Sequence, residues 1–257
     1  MFQWKVLVMG LKNVGSQFQR MMVWVLRELP NVHPYIDDIL IGSMGSNIEE
    51  LVANHQRDVR KVMETLLEHQ IVCSPEKSRF FHREVGFCGH VLRDGTRAPA
   101  PGKLLPLQKW EPPRTITELR SFLGVANYFS EYVPHFAEFA APLMAKLKVP
   151  REDGKKGSKK PVTFGEEELQ AFDNLKKALA QNLGLYQPRL DQPFVLRTDA
   201  SEIAIGAQLC QVLDGSLRTV ALYSRKLSKS QLIWAVKEKE MYTVVAALHK
   251  WSGIINF

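Results

Sequence analysis

The sequence predicts an α+β protein. Apolar residues recur at three- and four-residue steps over long stretches, the mark of helices with one buried face. Short apolar runs closed by glycine, proline or Asp-Gly lie between them, the mark of hairpins. In the last third, consecutive strand-like runs precede a final helix, which points to an antiparallel meander with one face covered rather than to repeated βαβ units.

The 257 residues are 45% hydrophobic, enough to bury a substantial core and to form about one to three compact units. A wholly disordered chain is excluded on that ground. Lys and Arg number 34 against 27 Asp and Glu, and the net charge of +7 suits a polyanionic partner. Cys73, Cys88 and Cys210 are far apart, with no C-x-x-C pair, so neither a disulfide framework nor a structural zinc is expected. No apolar run reaches the roughly 20 residues that span a bilayer. Met1-Phe2-Gln3-Trp4-Lys5 lacks the layout of a secretory signal. The expectation is a soluble protein in a reducing, intracellular compartment, cytoplasmic or nuclear, with no membrane partner.

From Ser16 to Leu29, Phe18, Met21, Met22, Val25, Leu26 and Leu29 form a helical core stripe that Pro30 ends. Tyr35 to Ile41 carries two adjacent acids in an apolar run between Pro34 and Gly42, which reads as a hairpin. A second helix, capped near Ser46 or Asn47, buries Ile48, Leu51, Val52, Val59, Val62, Met63, Leu66 and Leu67. Around Phe80 to Leu92, Val85, Phe87 and Val91 alternate with glycines as short strands, and Asp94-Gly95 closes the segment as a turn. A proline-rich stretch runs from Pro99 to Pro113. Thr115 to Glu118 is a capping box opening a helix through Leu119, Phe122, Leu123, Ala126 and Phe129, which should end before Pro134.

Between Val149 and Pro161 the chain is polar and basic and cannot bury a face, so the main boundary is placed there, as a solvated loop in preference to a nucleic-acid tail. Glu166 to Leu179 is another amphipathic helix. Phe194 to Thr198 is a strand running into Asp199-Ala200-Ser201. Ile205 to Val212 and Leu217 to Ser224 are two more, joined at Asp214-Gly215, and Val236 to Lys250 is a helix. No internal repeat is present.

Asp37 and Asp38 are the first chemical signal. Neighbouring carboxylates repel, and burying them is costly without a compensating cation. Magnesium prefers hard oxygen ligands, and two such ions suit an in-line phosphoryl displacement. An acidic surface turn is the ordinary alternative for such a pair.

With its flanks, Tyr35-Ile36-Asp37-Asp38-Ile39-Leu40-Ile41 resembles the palm hairpin of reverse transcriptases from Ty3/gypsy-type long-terminal-repeat retrotransposons. Gly10-Leu11-Lys12-Asn13 and Phe18-Gln19-Arg20 are similar to the family's preceding segment. Val8-Met9 and Val14-Gly15 depart from its usual Pro-Phe and Ala-Pro, which bears on nucleotide-pocket shape. Gly86-Phe87-Cys88-Gly89-His90 resembles the segment associated with holding the primer end. The likeness continues through Trp110-Glu111-Pro112-Pro113, Glu118 to Gly124, Asn127-Tyr128 and Pro142-Leu143.

Thr198-Asp199-Ala200-Ser201, Gly206-Ala207, Tyr223 to Leu227 and Glu238-Lys239-Glu240 then resemble the start of a retroelement ribonuclease H domain. The resemblance implies a partial reverse-transcriptase palm over residues 1–95 and helical thumb and connection over 96–148. It implies a basic linker at 149–163, then a partial ribonuclease H-like mixed sheet with a packed helix over 164–257.

It further implies Asp37, Asp38, Asp199 and Glu240 as catalytic metal ligands for Mg2+ or Mn2+. Tyr35, Gly10, Leu11, Asn13, Phe18, Gly89 and His90 would contact substrate. Glu238, two residues before Glu240, should lie on a different helix face as a surface residue. The implied partner is an RNA/DNA hybrid or template–primer. In the family, a further palm aspartate lies upstream and a further ribonuclease H strand with another aspartate lies downstream. The expectation is therefore negligible activity from this chain alone, missing parts supplied in trans, and an unpaired edge on the strand ending at Asp199. The alternative reading is a non-catalytic nucleic-acid- or protein-binding remnant, or a decayed gene copy.

Overall fold

A computed structural model describes residues 10, 12–147, 161–181 and 184–255. The chain divides into two compact units, the first ending at Cys88 and the second beginning at Gly89.

The first unit opens with α1 (Val14–Val25), four residues shorter at its end than the apolar stripe predicts. Beyond it the chain turns, with the Leu29 amide donating to the Leu26 carbonyl, and Leu26 still reaches the core. The cause is local: Pro30 disfavours helix in the residue before it, and Asn31 takes a left-handed φ of 60°. Strands β1 (Val32–Tyr35) and β2 (Asp38–Ile41) pair antiparallel from Val32↔Ile41 to Tyr35↔Asp38. Helix α2 (Ile48–Glu68) starts at Asn47, whose side chain accepts from the Glu50 amide at 2.8 Å. Met22, Val25 and Leu26 pack on Val62 and Leu66, and this core supports the hairpin through Val32, Ile39 and Ile41. Strand β3 (Glu84–Phe87) is the unit's last element.

In the second unit, β4 (His90–Arg93) and β5 (Thr96–Pro99) form a hairpin whose two turn residues, Asp94 and Gly95, have φ of 44° and 71°, matching the right-handed twist of the strands. The proline-rich stretch contains α3 (Pro101–Gln108), which the sequence reading did not include. Pro101 occupies the first helical turn, where its missing N–H costs nothing, and Leu104 and Leu107 are buried. Helix α4 (Ile116–Tyr128) carries the capping box: Thr115 Oγ1 accepts from the Glu118 amide at 3.2 Å, and Glu118 accepts from the Arg114 amide at 2.8 Å. A 3₁₀ turn (Ser130–Tyr132), α5 (Phe136–Lys146) and α6 (Glu166–Ala180) follow.

Phe122, Phe129, Leu143, Phe172 and Leu175 share one core, and Lys146 pairs with Glu168 at 2.9 Å. Most of the basic stretch lies outside the described residues, and the helices on either side of it complete each other's apolar faces within the second unit.

Strand β6 (Leu185–Tyr186) adds to β5. The meander is β7 (Phe194–Ala200), β8 (Ala204–Leu213) and β9 (Ser216–Lys226), ordered β7-β8-β9 and antiparallel, with a bulge at Leu209/Cys210. Short α7 (Lys229–Leu232), α8 (Val236–Lys250) and α9 (Ser252–Ile255) complete it. Ala247 and Trp251 lie with Leu196, Ala207 and Leu209 in a core between α8 and one sheet face. The opposite face receives the 3₁₀ turn and α5, tied by the Ala137 amide donating to Ser224 Oγ at 3.0 Å. Among the described residues β7 pairs only with β8.

The hairpin β4–β5 is joined to the helices by a polar aromatic node. The His90 ring stacks on Tyr128 with centroids 5.5 Å apart, and its Nδ1 lies 2.8 Å from the Tyr132 hydroxyl. Gly89 has φ +79°, and a Cβ there would sit 3.3 Å from the Tyr128 hydroxyl, so both backbone and space favour glycine. Arg97 forks onto Glu131 at 2.9 and 3.3 Å and lies over the Tyr132 ring. Burial holds the His90 imidazole below its ordinary pKa and pushes the Tyr132 phenol up to about 12.

Two outcomes follow for stability. Phe122→Ala should cost about 3–5 kcal/mol of unfolding free energy in a denaturant titration, as a fully buried ring with neighbours on three helices. The unfolded chain protonates His90 below its ordinary pKa of about 6.5 while the folded chain resists, so this contribution is intact above that pH and is lost as pH falls through it. Thermal melts from about pH 7.5 to pH 5 should therefore show a steeper loss for the wild type than for His90→Gln. Parallel profiles would refute the assignment.

Two candidate carboxylate sites

In the first unit, the β1–β2 turn carries Asp37 and Asp38, both exposed. The turn needs a left-handed residue, and Ile36 supplies it with φ 50° despite its branched side chain, an uncommon conformation that the surroundings must hold. Gln19 of α1 does so. Its Nε2 donates to the Pro34 carbonyl at 2.9 Å, while its Oε1 accepts from the Ile36 amide, so one side-chain amide brackets the turn. At the other end of β2, the Gly42 amide donates to the Asn31 carbonyl at 2.9 Å. Ser43 Oγ donates to Asp58 at 2.8 Å and lies 3.1 Å from His55 Nδ1, tying the strand to α2.

Tyr35 meets Phe87 of β3 edge to face, with centroids 6.4 Å apart. The Cys88 thiol is pushed up first by burial and then by the negative charge of Asp38. The turn acids and the segment resembling a primer-holding strand thus share this unit, although nearly 50 residues separate them. Phe18 packs at the edge of the core. Gly10, with φ +94°, is exposed, and the Asn13 carbonyl accepts from the Gln17 amide and Ser16 Oγ at the start of α1. Leu11 lies outside the described residues. Gly89 and His90 belong to the second unit, where His90 is half-buried and engaged by Tyr132.

In the second unit, the strand alternation of β7 places Asp199 on the face opposite Leu196, which packs beneath α8. Glu240 of α8 reaches the same strand end, where its Oε1 accepts from the Ala200 amide at 3.3 Å. Glu240 thus reaches the backbone one residue past Asp199, whose own side chain lies on the sheet face opposite α8. Glu238 faces elsewhere, accepting from the Ala235 amide at 2.8 Å as the helix cap. Lys239, between them, is buried, and its Nζ donates to the Glu202 carbonyl at 3.3 Å. That bond, with the paired Ser201–Ala204 hydrogen bonds at 3.1 Å, holds the bend just after Asp199.

Gln19 and Lys239 are the residues that sequence reasoning missed as positioning groups. Gln19 was visible as part of Phe18-Gln19-Arg20, but nothing in that triplet indicates that its amide reaches a turn 15 residues away. Among the described residues no group of three or more His, Cys, Asp or Glu converges as a metal-binding set. The two oxygen-donor pairs are nonetheless the hard ligands that magnesium or manganese takes. No described helix is long and apolar enough to cross a membrane.

Residues 1–92 match the family model for reverse transcriptase (RNA-dependent DNA polymerase), and residues 164–256 match that for the RNase H-like domain found in reverse transcriptase. The retrovirus-related Pol polyproteins from transposons opus and gypsy of Drosophila melanogaster are 35% and 36% identical over 93% and 96% of this chain. The Tf2-3 transposon polyprotein of Schizosaccharomyces pombe is 29% identical over 97% of it. The chain spans 24%, 23% and 18% of those relatives. The foamy viral protease-reverse transcriptase in complex with RNA/DNA hybrid has a TM-score of 0.81 and 25% identity, covering 98% of this chain and 33% of that one. The same protein in complex with dsDNA gives 0.80, with 98% and 50% covered. With the two family models matched in chain order and relatives aligned over most of its length, the chain belongs to the reverse transcriptase and RNase H-like part of retrotransposon Pol polyproteins.

Proposed function

We propose that this chain grips an RNA/DNA template–primer, with Asp37 and Asp38 serving nucleotidyl transfer and Asp199 and Glu240 serving hydrolysis of the RNA strand. The observation that carries the reading is that Glu240, from α8, accepts a hydrogen bond from the Ala200 amide, one residue beyond Asp199. Both pairs suit a divalent magnesium or manganese ion, which when bound would neutralise phosphate charge and polarise the phosphoryl group.

The chain's own residues do the remaining work. Gln19 fixes the turn that carries Asp37 and Asp38, and the Ala200 amide orients Glu240 toward the Asp199 strand. Such preorganisation matters because positioning provides much of the advantage in phosphoryl transfer. The net charge of +7 supplies attraction to a backbone of phosphates. On this reading we propose that the chain acts in cytoplasm or nucleus, where the hybrid would form.

A fluorescent RNA/DNA hybrid should bind the purified chain with an affinity that falls steeply as salt rises. Absence of binding at low salt would overturn the reading. Primer extension and RNA cleavage, followed in the same samples with magnesium, separate a catalytic chain from one that only grips. With hybrid present, Mn2+ titrated by electron paramagnetic resonance should lose one class of bound ion in Asp37→Asn/Asp38→Asn and another in Asp199→Asn/Glu240→Gln. Gln19→Ala should weaken Mn2+ at the Asp37/Asp38 site by roughly tenfold and leave the other class unchanged, as loss of an orienting partner does.

A further inference from the structure

We propose that the cleft beside Asp199 is a seat for a backbone phosphate of the hybrid, held by Arg197 and by His135 from the segment preceding α5. The inference rests on the nucleic-acid reading above and assigns two residues to it.

A cavity of about 220 Å³ opens on the sheet face opposite α8, lined by His135, Arg197, Asp199, Gly206, Gln208 and Tyr223 among others. The strand period puts Arg197 and Asp199 side by side on that face, two residues apart. Gly206 is the direct cross-strand partner of Asp199, and Gln208 that of Arg197. Because Gly206 has no side chain, the sheet is hollow at this point. The hollow is roofed by His135, whose Nδ1 lies 3.7 Å from where a Cβ on Gly206 would stand.

His135 is held there by the fold. It takes a left-handed φ of 54° as the residue capping α5, and two residues on the Ala137 amide is bound to Ser224, the β9 partner of Gly206. A non-glycine residue in that conformation marks a position the surroundings enforce.

The charges complete the case. Arg197 is exposed, and among the described residues it forms no ion pair, even with Asp199 on its own strand face. His135 Nδ1 lies 3.9 Å from the Glu138 carboxylate, its near neighbour on α5. A guanidinium fork matches two phosphate oxygens, and an imidazole across a cleft of this size supplies a third donor. The phosphate would sit within reach of Asp199 without being its reacting group, so Arg197 and His135 are positioning residues. One consequence is that the segment before α5 contributes directly to the RNase H-like site.

The test is the salt dependence of binding of a fluorescent RNA/DNA hybrid to the full chain. Arg197→Gln should weaken binding by about fivefold at moderate salt and lower the slope of log affinity against log salt by about one. Arg197→Lys should restore most of the slope, and His135→Ala should add to the loss. Unchanged melting temperatures guard against misfolding, and Lys237→Gln, an exposed change on α8 away from the cleft, serves as a charge control. If Arg197→Gln and His135→Ala match the control while the wild type binds hybrid, the phosphate seat is refuted and the proposed function stands. If the wild type does not bind hybrid at all, both fall together.

Discussion

The larger unit depends on the packing of Phe122 against Phe172, whose ring centroids lie 4.6 Å apart. The first belongs to α4 and the second to α6, on opposite sides of the basic stretch. Neither helix could bury its stripe alone, since each presents one apolar face and one polar face. Their union with α3 and α5 produces one core, and Leu222 of β9 enters it from the sheet. The meander is therefore attached to the helices by shared apolar surface as well as by the Ala137–Ser224 hydrogen bond.

That arrangement determines where polar chemistry can occur. The sheet is covered by α8 on one side and by the 3₁₀ turn and α5 over β8 and β9 on the other. The outer part of β7 remains open, and Asp199 and Arg197 lie there. Buried carboxylates would need pairing or a change of protonation. Exposed ones at the end of a rigid strand avoid that cost while the strand fixes their geometry. The hairpin of the smaller unit uses the same device, with acids at a solvent-facing tip and apolar strand residues in the core below.

Polar contacts in both units act mainly as locks on backbone. Gln19 brackets a turn with an uncommon φ, Lys239 and Ser201 hold the bend after Asp199, and the His90–Tyr132 pair fastens a hairpin to a helix. The predicted substrate contact His90 is thus also a structural joint. Its ring nitrogens face tyrosine hydroxyls, and the histidine is the centre of a packed aromatic cluster.

By itself the sequence determined the elements whose signals are local. The hairpin around Asp37-Asp38, the helix start at Thr115–Glu118, the turns at Asp94-Gly95 and Asp214-Gly215, and the stripe of α4 are legible because periodicity and turn stereochemistry act within a few residues; of the stripe expected on α2 only Val62 and Leu66 are buried, while Ile48, Val52 and Leu67 are exposed. Four acids could be singled out because their flanking residues resemble a family's motifs. Tertiary structure decided the rest. The division at Cys88/Gly89, the helix inside the proline-rich stretch and the two-residue strand β6 all depend on which distant apolar surface completes them. The reach of Gln19 to its turn, and of His135 over Gly206, depends on side chains meeting across long loops. Such contacts have no period and leave no pattern in the chain, because their energy comes from surfaces that become neighbours only after folding.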